Sequence, residues 1–195
     1  MSIAGEKRHY TREEYLQREE TAEYKSEYRD GEIIPMTGAT SDHNAIVVNF
    51  CSRFKMATRG RGYRIFVGDM RLAIPRYGFY TYPDLMLVRE RPIYENDRKT
   101  ILVNPTVIVE VLSRSTRNYD RGDKFDYYRS IPSFEEYILI DQYRSRVEQF
   151  SKRSSNEWLL REIEGEGAIL NLSSIEFTLS LSEIYEEVEF SGEEG

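Results

Sequence analysis

Residues 106 to 112 read Thr106-Val107-Ile108-Val109-Glu110-Val111-Leu112, a run that is almost wholly apolar and rich in β-branched side chains. A second run, Tyr82-Pro83-Asp84-Leu85-Met86-Leu87-Val88, has the same character. Both predict buried strands. Each run carries one carboxylate, and a buried carboxylate without a partner costs several kcal/mol. Asp84 and Glu110 therefore need a metal ion, a buried Arg or Lys, or access to water at the end of a strand.

Turn and capping signals place helices and a hairpin around these runs. Thr11 is a good N-cap for a first helix, and Asp30-Gly31 predicts a hairpin turn between residues 23–29 and 32–36. Ser41 or Asp42 can cap a second helix, which Gly60 or Gly62 would end. The apolar residues of that helix recur at helical spacing: Ile46, Val47, Phe50 and Phe54. We expect this helix to lie across a sheet.

Four short apolar runs predict one sheet, at residues 63–67, 70–74, 82–88 and 106–112. Residues 120–130 predict a helix, and residues 136–140 and 147–150 predict two further strands. This order indicates an α/β fold with a central mixed β-sheet flanked by helices and an N-terminal β-hairpin. Since no linker or repeat interrupts it, we expect residues 1–195 to form a single domain with a frayed end at residues 191–195.

The composition excludes several classes of protein. Hydrophobic residues make up 39 % and charged residues 31 % of the chain, as in ordinary water-soluble domains. There is no apolar run of the ~20 residues needed to span a bilayer, so we expect no membrane association. One cysteine and two histidines cannot form a disulfide or a Cys/His zinc site. A cytoplasmic protein without an organic cofactor is the expectation.

The net charge of −7 is unevenly distributed along the chain. The acidic C-terminal segment, residues 162–195, holds ten Glu and no Lys or Arg, so the remainder carries 27 basic and 24 acidic groups. Between Asp42 and Asp69 there is no acidic residue, and this interval contains a basic run: Arg53, Lys55, Arg59, Arg61 and Arg64. The run predicts either phosphate contacts or an ordinary solvated helix face.

The two strand acids suit a hard cation. Mg²⁺ prefers oxygen ligands and usually takes only one or two carboxylates, with water and substrate oxygens completing its shell. We therefore expect Asp84 and Glu110 to hold Mg²⁺, with Mn²⁺ as a possible substitute. The helix after the second strand presents Lys124, whose ammonium could position a water or stabilise charge on phosphorus. The alternative for Lys124 is a solvated helix residue.

These residues carry a resemblance to a known family. Pro83-Asp84 followed by Glu110-Val111-Leu112 resembles the PD-(D/E)XK nuclease superfamily, and the wider sequence resembles the Uma-type family of restriction-endonuclease-like proteins, common in cyanobacteria. The matching segments are Ser26-Glu27-Tyr28-Arg29-Asp30-Gly31-Glu32-Ile33, His43, Asp69-Met70-Arg71-Leu72, Tyr80-Thr81-Tyr82-Pro83-Asp84, Glu110-Val111-Leu112-Ser113-Arg114-Ser115-Thr116 and Tyr119-Asp120-Arg121-Gly122-Asp123-Lys124. The resemblance implies a restriction-endonuclease-like fold and metal-dependent hydrolysis of DNA.

The resemblance also implies roles for particular residues. It implies that Asp84, Glu110 and the Val111 carbonyl are metal ligands. In the superfamily a lysine usually stands two residues after the second acid, where this chain has Leu112. Lys124 matches a lysine that has migrated to the following helix. Glu27 resembles an additional N-terminal acid of the site, although pairing with a neighbouring Arg or Lys would also explain it.

The sequence leaves the roles of some residues open. His43, at the start of the second helix, could contact phosphate or be structural. The role of Asp69 is undetermined. A nucleic-acid-binding or assembly module that keeps the fold without cutting is the alternative to a DNA endonuclease, and RNA or branched substrates are equally open. Because cutting two strands with one site usually needs two copies, we expect a homodimer.

Overall fold

The computed structural model describes residues 8–97, 99–165 and 167–190; the expectation for residues 191–195 lies outside them. The helices are α1 (Arg12–Glu19), α2 (Ser41–Ala57), α3 (Arg117–Arg121), α4 (Asp123–Tyr128) and α5 (Leu181–Ile184), with a 3₁₀ turn at Glu95–Asp97. The strands are β1 (Ser26–Arg29), β2 (Glu32–Pro35), β3 (Arg64–Val67), β4 (Arg71–Ile74), β5 (Phe79–Thr81), β6 (Leu85–Val88), β7 (Ile101–Leu102), β8 (Val107–Leu112), β9 (Glu136–Asp141), β10 (Arg146–Ser154), β11 (Glu157–Glu164), β12 (Ile169–Leu172) and β13 (Phe177–Ser180).

A six-stranded mixed sheet forms the centre, in the order β11-β10-β9-β8-β6-β3. β8 and β9 run parallel and are buried along their whole length, whereas the other neighbours are antiparallel. Side chains alternate between two apolar cores. Val107, Val109 and Val111 join one core with α2, and Ile108 and Leu112 join the other with residues of α4.

A five-stranded sheet, in the order β2-β1-β5-β4-β7, lies beside the central one. Its β1–β2 hairpin turns at Asp30 and Gly31, which both have positive φ, as a tight two-residue hairpin turn requires. Tyr15 of α1 stacks on Tyr28 of β1 with ring centroids 5.1 Å apart, and Tyr80 of β5 completes this small core. The N-terminal hairpin is thereby attached to the rest of the chain.

The α/β class with a mixed sheet, helices and an N-terminal hairpin is confirmed, but the prediction of one sheet from four runs is wrong. β4 belongs to the second sheet, and residues 79–88 are two strands in different sheets. Pro83 lies between them. Because proline has no backbone N–H, it cannot continue a hydrogen-bonded ladder, and the chain passes from β5 to β6 at that point.

Two helix boundaries also differ from prediction. Thr40, one residue before the expected caps, is the N-cap of α2 and accepts from the His43 N–H. The helix expected at residues 120–130 is instead two short helices interrupted at Gly122, whose ψ of −99° is not helical. No helix in the described ranges has the length and apolar character needed to cross a membrane.

The acidic C-terminal segment contributes to the core, which its composition did not indicate. β12 and β13 form a two-stranded sheet, and α5 follows directly. The apolar side chains of this segment pack against α2 and the central sheet: Leu170, Leu172, Phe177, Leu179, Leu181 and Ile184. On β12 and β13 buried apolar residues alternate with exposed ones, among them Asn171 and Thr178, as period-2 alternation requires, and the described glutamates of the segment lie outside these two strands.

Candidate active site

Asp84 and Glu110 lie side by side although 26 positions separate them in sequence. β6 and β8 are antiparallel neighbours with Leu85 opposite Val109, so Asp84 comes opposite Glu110. Glu110 shares its face of β8 with Ile108, and Asp84 precedes β6 by one residue. The two strands that the sequence predicts to carry these acids are therefore neighbours in the sheet.

The Asp84 carboxylate is oriented by two donors. Its Oδ2 accepts from the Val111 N–H at 2.7 Å and lies 3.1 Å from Nε2 of His43. Burial would lower the pKa of His43, but the hydrogen bond and negative charge of Asp84 raise that pKa above its usual value. His43, for which the sequence leaves a phosphate contact or a structural role open, contacts a carboxylate in this structure.

Glu110 is almost fully buried and satisfied by three donors. Oε2 accepts from the Asp84 N–H at 3.2 Å, while Oε1 accepts from Tyr128 Oη at 2.7 Å and from Lys124 Nζ at 3.2 Å. Burial raises the pKa of Glu110 to about 8 in spite of the opposing effect of Lys124, and the charges of Asp84 and Asp120 act in the same direction as burial. This carboxyl therefore lies in a site with an excess of negative charge.

Lys124 is buried, and its ammonium lies among three carboxylates. Nζ is 3.2 Å from Glu110, 3.2 Å from Asp120 and 3.5 Å from Glu27. Burial alone would lower the pKa of Lys124, but these three acids raise it well above its usual value. A solvated helix position, the alternative reading of this lysine, is excluded by its 5 % exposure.

The break at Gly122 explains how Lys124 reaches the strand acids. α3 and α4 meet there, and the Tyr137 hydroxyl of the central sheet donates to the Asp120 carbonyl at 3.0 Å. This contact holds the end of α3 against the sheet. Oδ1 of Asp120 makes no hydrogen bond to any described residue, yet it lies near Nζ of Lys124, so the attraction between them is mainly Coulombic.

Glu27 projects from β1 toward the same ammonium. Its Oε1 accepts from the Thr81 hydroxyl at 2.5 Å, and its Oε2 accepts from Tyr119 Oη at 3.2 Å. Its cationic partner is Lys124, rather than the neighbouring Lys25, which pairs with Asp69 at 3.0 Å. The N-terminal hairpin thus contributes a carboxylate to the group around Lys124.

These side chains line one cleft of about 800 Å³. Its walls include the hairpin and the segment that follows it on one side, and the loop after β8 on the other. The members that bear on chemistry are Glu27, His43, Asp84, Glu110, Val111, Asp120 and Lys124. An acidic cleft of this kind attracts cations.

The donors present fit a hard divalent ion. Oδ1 of Asp84 accepts no hydrogen bond from the described residues. The Val111 N–H points at Asp84, and because the N–H and carbonyl of one strand residue point to the same edge, we expect the Val111 oxygen on the edge that faces β6. No group of three or more His, Cys, Asp or Glu in the described ranges forms a ready-made metal cluster. Two carboxylates and a carbonyl match the sparse ligation of Mg²⁺.

The basic run lies apart from this cleft. None of Arg53, Lys55, Arg59, Arg61 and Arg64 lines it, and the run begins about 15 Å along α2 from His43. Arg53 pairs with Glu186 at 2.8 Å, and Arg61 pairs with Glu176 at 2.7 Å. The absence of acidic neighbours holds in sequence only, because the acidic C-terminal segment supplies partners in space.

Sequence reasoning missed several residues of the site. Asp120 and Tyr128 were assigned to a helix without a role, although Tyr128 bonds to Glu110 and Asp120 contacts Lys124. Thr40 and Gln142 link the start of α2 to β8, since Thr40 Oγ1 lies 2.6 Å from Gln142 Oε1 and Gln142 Nε2 donates to the Leu112 carbonyl. For Asp120 the sequence does contain a signal, because it stands four residues before Lys124 and residues four apart lie on the same face of a helix.

A mixed sheet with carboxylates on adjacent strands and a buried lysine beside them defines a restriction-endonuclease-like protein. The chain belongs to the Uma2 family, whose description is "Putative restriction endonuclease" and whose sequence model matches residues 12–182.

Two relatives come from Synechocystis sp. (strain ATCC 27184 / PCC 6803 / Kazusa). The protein sll1609 is 42 % identical over 173 residues, covering 89 % of this chain and 98 % of its own. The protein slr1290 is 32 % identical over 180 residues, covering 91 % and 92 %. The fold is similar to a crystal structure from Anabaena variabilis ATCC 29413, described as "a putative nuclease belonging to DUF820", with a TM-score of 0.73, 20 % identity and coverage of 90 % of this chain and 97 % of that one.

Proposed function

We propose that this protein is a divalent-metal-dependent nuclease that hydrolyses phosphodiester bonds in DNA. The observation that carries the proposal is the position of Lys124, whose Nζ lies 3.2 Å from Glu110 although the position two residues after that acid is Leu112. Two strand acids and a buried ammonium are thereby combined in one cleft. Membership of the Uma2 family supports the same activity.

Each group in the cleft has a distinct task in this proposal. Asp84, Glu110 and the Val111 carbonyl hold Mg²⁺, for which Mn²⁺ can substitute, and the His43 contact orients Asp84. A bound divalent ion lowers the pKa of a water ligand toward ~7 and neutralises phosphate charge. Lys124, kept protonated by its three carboxylates, stabilises negative charge that develops at phosphorus. Glu27 holds that ammonium from the hairpin side.

The test compares wild-type protein with two matched Asp→Asn variants. Asp84→Asn removes the charge of a proposed ligand, whereas Asp126→Asn removes the charge of an exposed aspartate of α4 outside the cleft. Supercoiled plasmid, single-stranded DNA and RNA are incubated with metal-stripped protein, then with added Mg²⁺ or Mn²⁺. Cleavage by wild type and Asp126→Asn, but not by Asp84→Asn, is expected.

Each outcome has a clear meaning. Activity on RNA alone would assign a different substrate to the same chemistry. Absence of cleavage on every substrate would favour a non-cutting nucleic-acid-binding or assembly module. Equal activity in Asp84→Asn and wild type would contradict the proposed metal site. The homodimer that the sequence analysis expects is tested separately, by sedimentation equilibrium of the wild-type protein.

A further inference from the structure

Two arginines adjoin residues of the cleft wall, Arg114 on the loop that leaves β8 and Arg117 at the start of α3, and we call this segment the rim. Arg114 lies between Ser113 and Ser115, and Arg117 follows Thr116; all three flanking hydroxyl residues line the cleft. Both arginines are exposed. Among the described residues neither has an ion-pair partner. This rim therefore presents two uncompensated positive charges beside an acidic cleft.

Arg114 is also held in a defined orientation. Its guanidinium lies over the ring of Tyr143, 5.1 Å from the centroid, and its backbone N–H donates to Tyr143 Oη at 3.3 Å. Tyr143 itself lines the cleft. Stacking uses the flat face of a guanidinium and leaves its N–H edge free, which is the edge that binds phosphate.

Other cations near the cleft are already engaged by acids. Lys25 pairs with Asp69 at 3.0 Å, and Arg29 lies 3.9 Å from Asp123. A polyanion approaching the buried carboxylates must be held by positive charge nearby, because those carboxylates repel it. The rim arginines are placed to supply that charge.

We propose that Arg114 and Arg117 bind the phosphate backbone of the nucleic acid beside the bond that enters the cleft. This inference rests on the proposed function for its choice of ligand. It assigns the backbone contact to the loop after β8 rather than to the end of α2. The stacked Arg114–Tyr143 pair fixes one contact, and Arg117 at the start of α3 provides the second.

A pair of double variants separates the two surfaces. Arg114→Ala/Arg117→Ala and Lys55→Ala/Arg59→Ala each remove two exposed positive charges that have no ion-pair partner among the described residues. The first pair comes from the rim, and the second from the last turn of α2 and the turn after it. Both are built on Asp84→Asn, so that the oligonucleotide stays intact. Binding of fluorescent single-stranded and duplex DNA is followed by anisotropy over a range of salt concentrations.

The rim variant is expected to flatten the slope of log affinity against log salt by roughly 1 to 2 units, while the α2 variant leaves it unchanged. Arg114→Lys/Arg117→Lys should restore most of the slope, since it restores the charge. A flattened slope in the α2 variant alone, or no binding of DNA by the parent protein, overturns the inference. Rim-dependent binding without any cleavage by wild type would sustain it and refute the nuclease proposal.

Discussion

The backbone N–H of Asp84 donates a hydrogen bond to Oε2 of Glu110 over 3.2 Å. In return, the N–H of Val111, the residue after Glu110, donates to Oδ2 of Asp84 over 2.7 Å. Each acid is therefore fixed by the main chain of the other strand. This exchange continues the β6–β8 ladder through side chains where the backbone pairing ends. It also limits the rotamers of both acids, so the cleft is organised before any ligand binds.

Removal of the Lys124 ammonium should slow cleavage without abolishing binding. Lys124→Ala takes away a positive group that we place at the transition state, an effect of about 2 to 4 kcal/mol, or roughly 30- to 1000-fold in rate. Plasmid nicking and DNA binding are measured side by side, with Lys55→Ala as the exposed-lysine control. Unchanged nicking by Lys124→Ala, with Asp84→Asn inactive, would leave the metal site intact and exclude the lysine.

Loss of the Tyr128 hydroxyl should destabilise the fold through Glu110. Tyr128→Phe removes a buried donor 2.7 Å from a carboxylate, which costs about 1 to 3 kcal/mol. Tyr28→Phe is the matched control, because its hydroxyl donates to a neutral backbone carbonyl at 2.8 Å. Urea denaturation gives both free energies of unfolding. A larger loss in Tyr28→Phe than in Tyr128→Phe would contradict the role given to Tyr128.

Stability in the absence of divalent metal should fall as the pH rises from 4.5 toward 8. Burial raises the pKa of Glu110 from 4.5 to about 8, so in this window the folded protein binds a proton that the unfolded chain has lost. His43, whose pKa is also raised, acts in the same direction. Urea titrations in chelator at several pH values measure the slope. Glu110→Gln should reduce the slope of the unfolding free energy against pH. A slope equal to that of wild type would be evidence that Glu110 does not titrate in this range.

The hairpin turn should tolerate no side chain at Gly31. Its φ of +82° is unfavourable for L-residues, and an added Cβ would collide with the His9 ring. Gly31→Ala should therefore cost at least about 1 to 2 kcal/mol. Gly38→Ala is the control, since nothing lies within 4 Å of a Cβ there. Comparable unfolding midpoints for the two variants would show that the turn adapts.

The C-terminal segment shows that local composition does not predict which charges pair in the folded chain. Its ten glutamates set it apart by charge, and since the interval between Asp42 and Asp69 holds no acidic residue, the sequence leaves open whether the basic run contacts phosphate or is a solvated face. In the folded chain Glu176 and Glu186 reach Arg61 and Arg53. Charge pairing between segments more than a hundred residues apart depends on how β12, β13 and α5 pack on α2. Local composition contains no record of that packing.

The sequence by itself determined the strands that carry the acids, because apolar runs with β-branched residues encode buried strands. Each run contains a single carboxylate, which identifies Asp84 and Glu110 as candidate functional residues. It also indicated the hairpin turn through Asp30-Gly31, whose positive φ values follow from residue type. Only the tertiary structure decided the surroundings of Lys124. Its ammonium meets carboxylates from β1, β8 and α3, and those distances depend on the helix break at Gly122 and on the docking of the hairpin. Both result from long-range packing, which residue spacing along a chain does not specify.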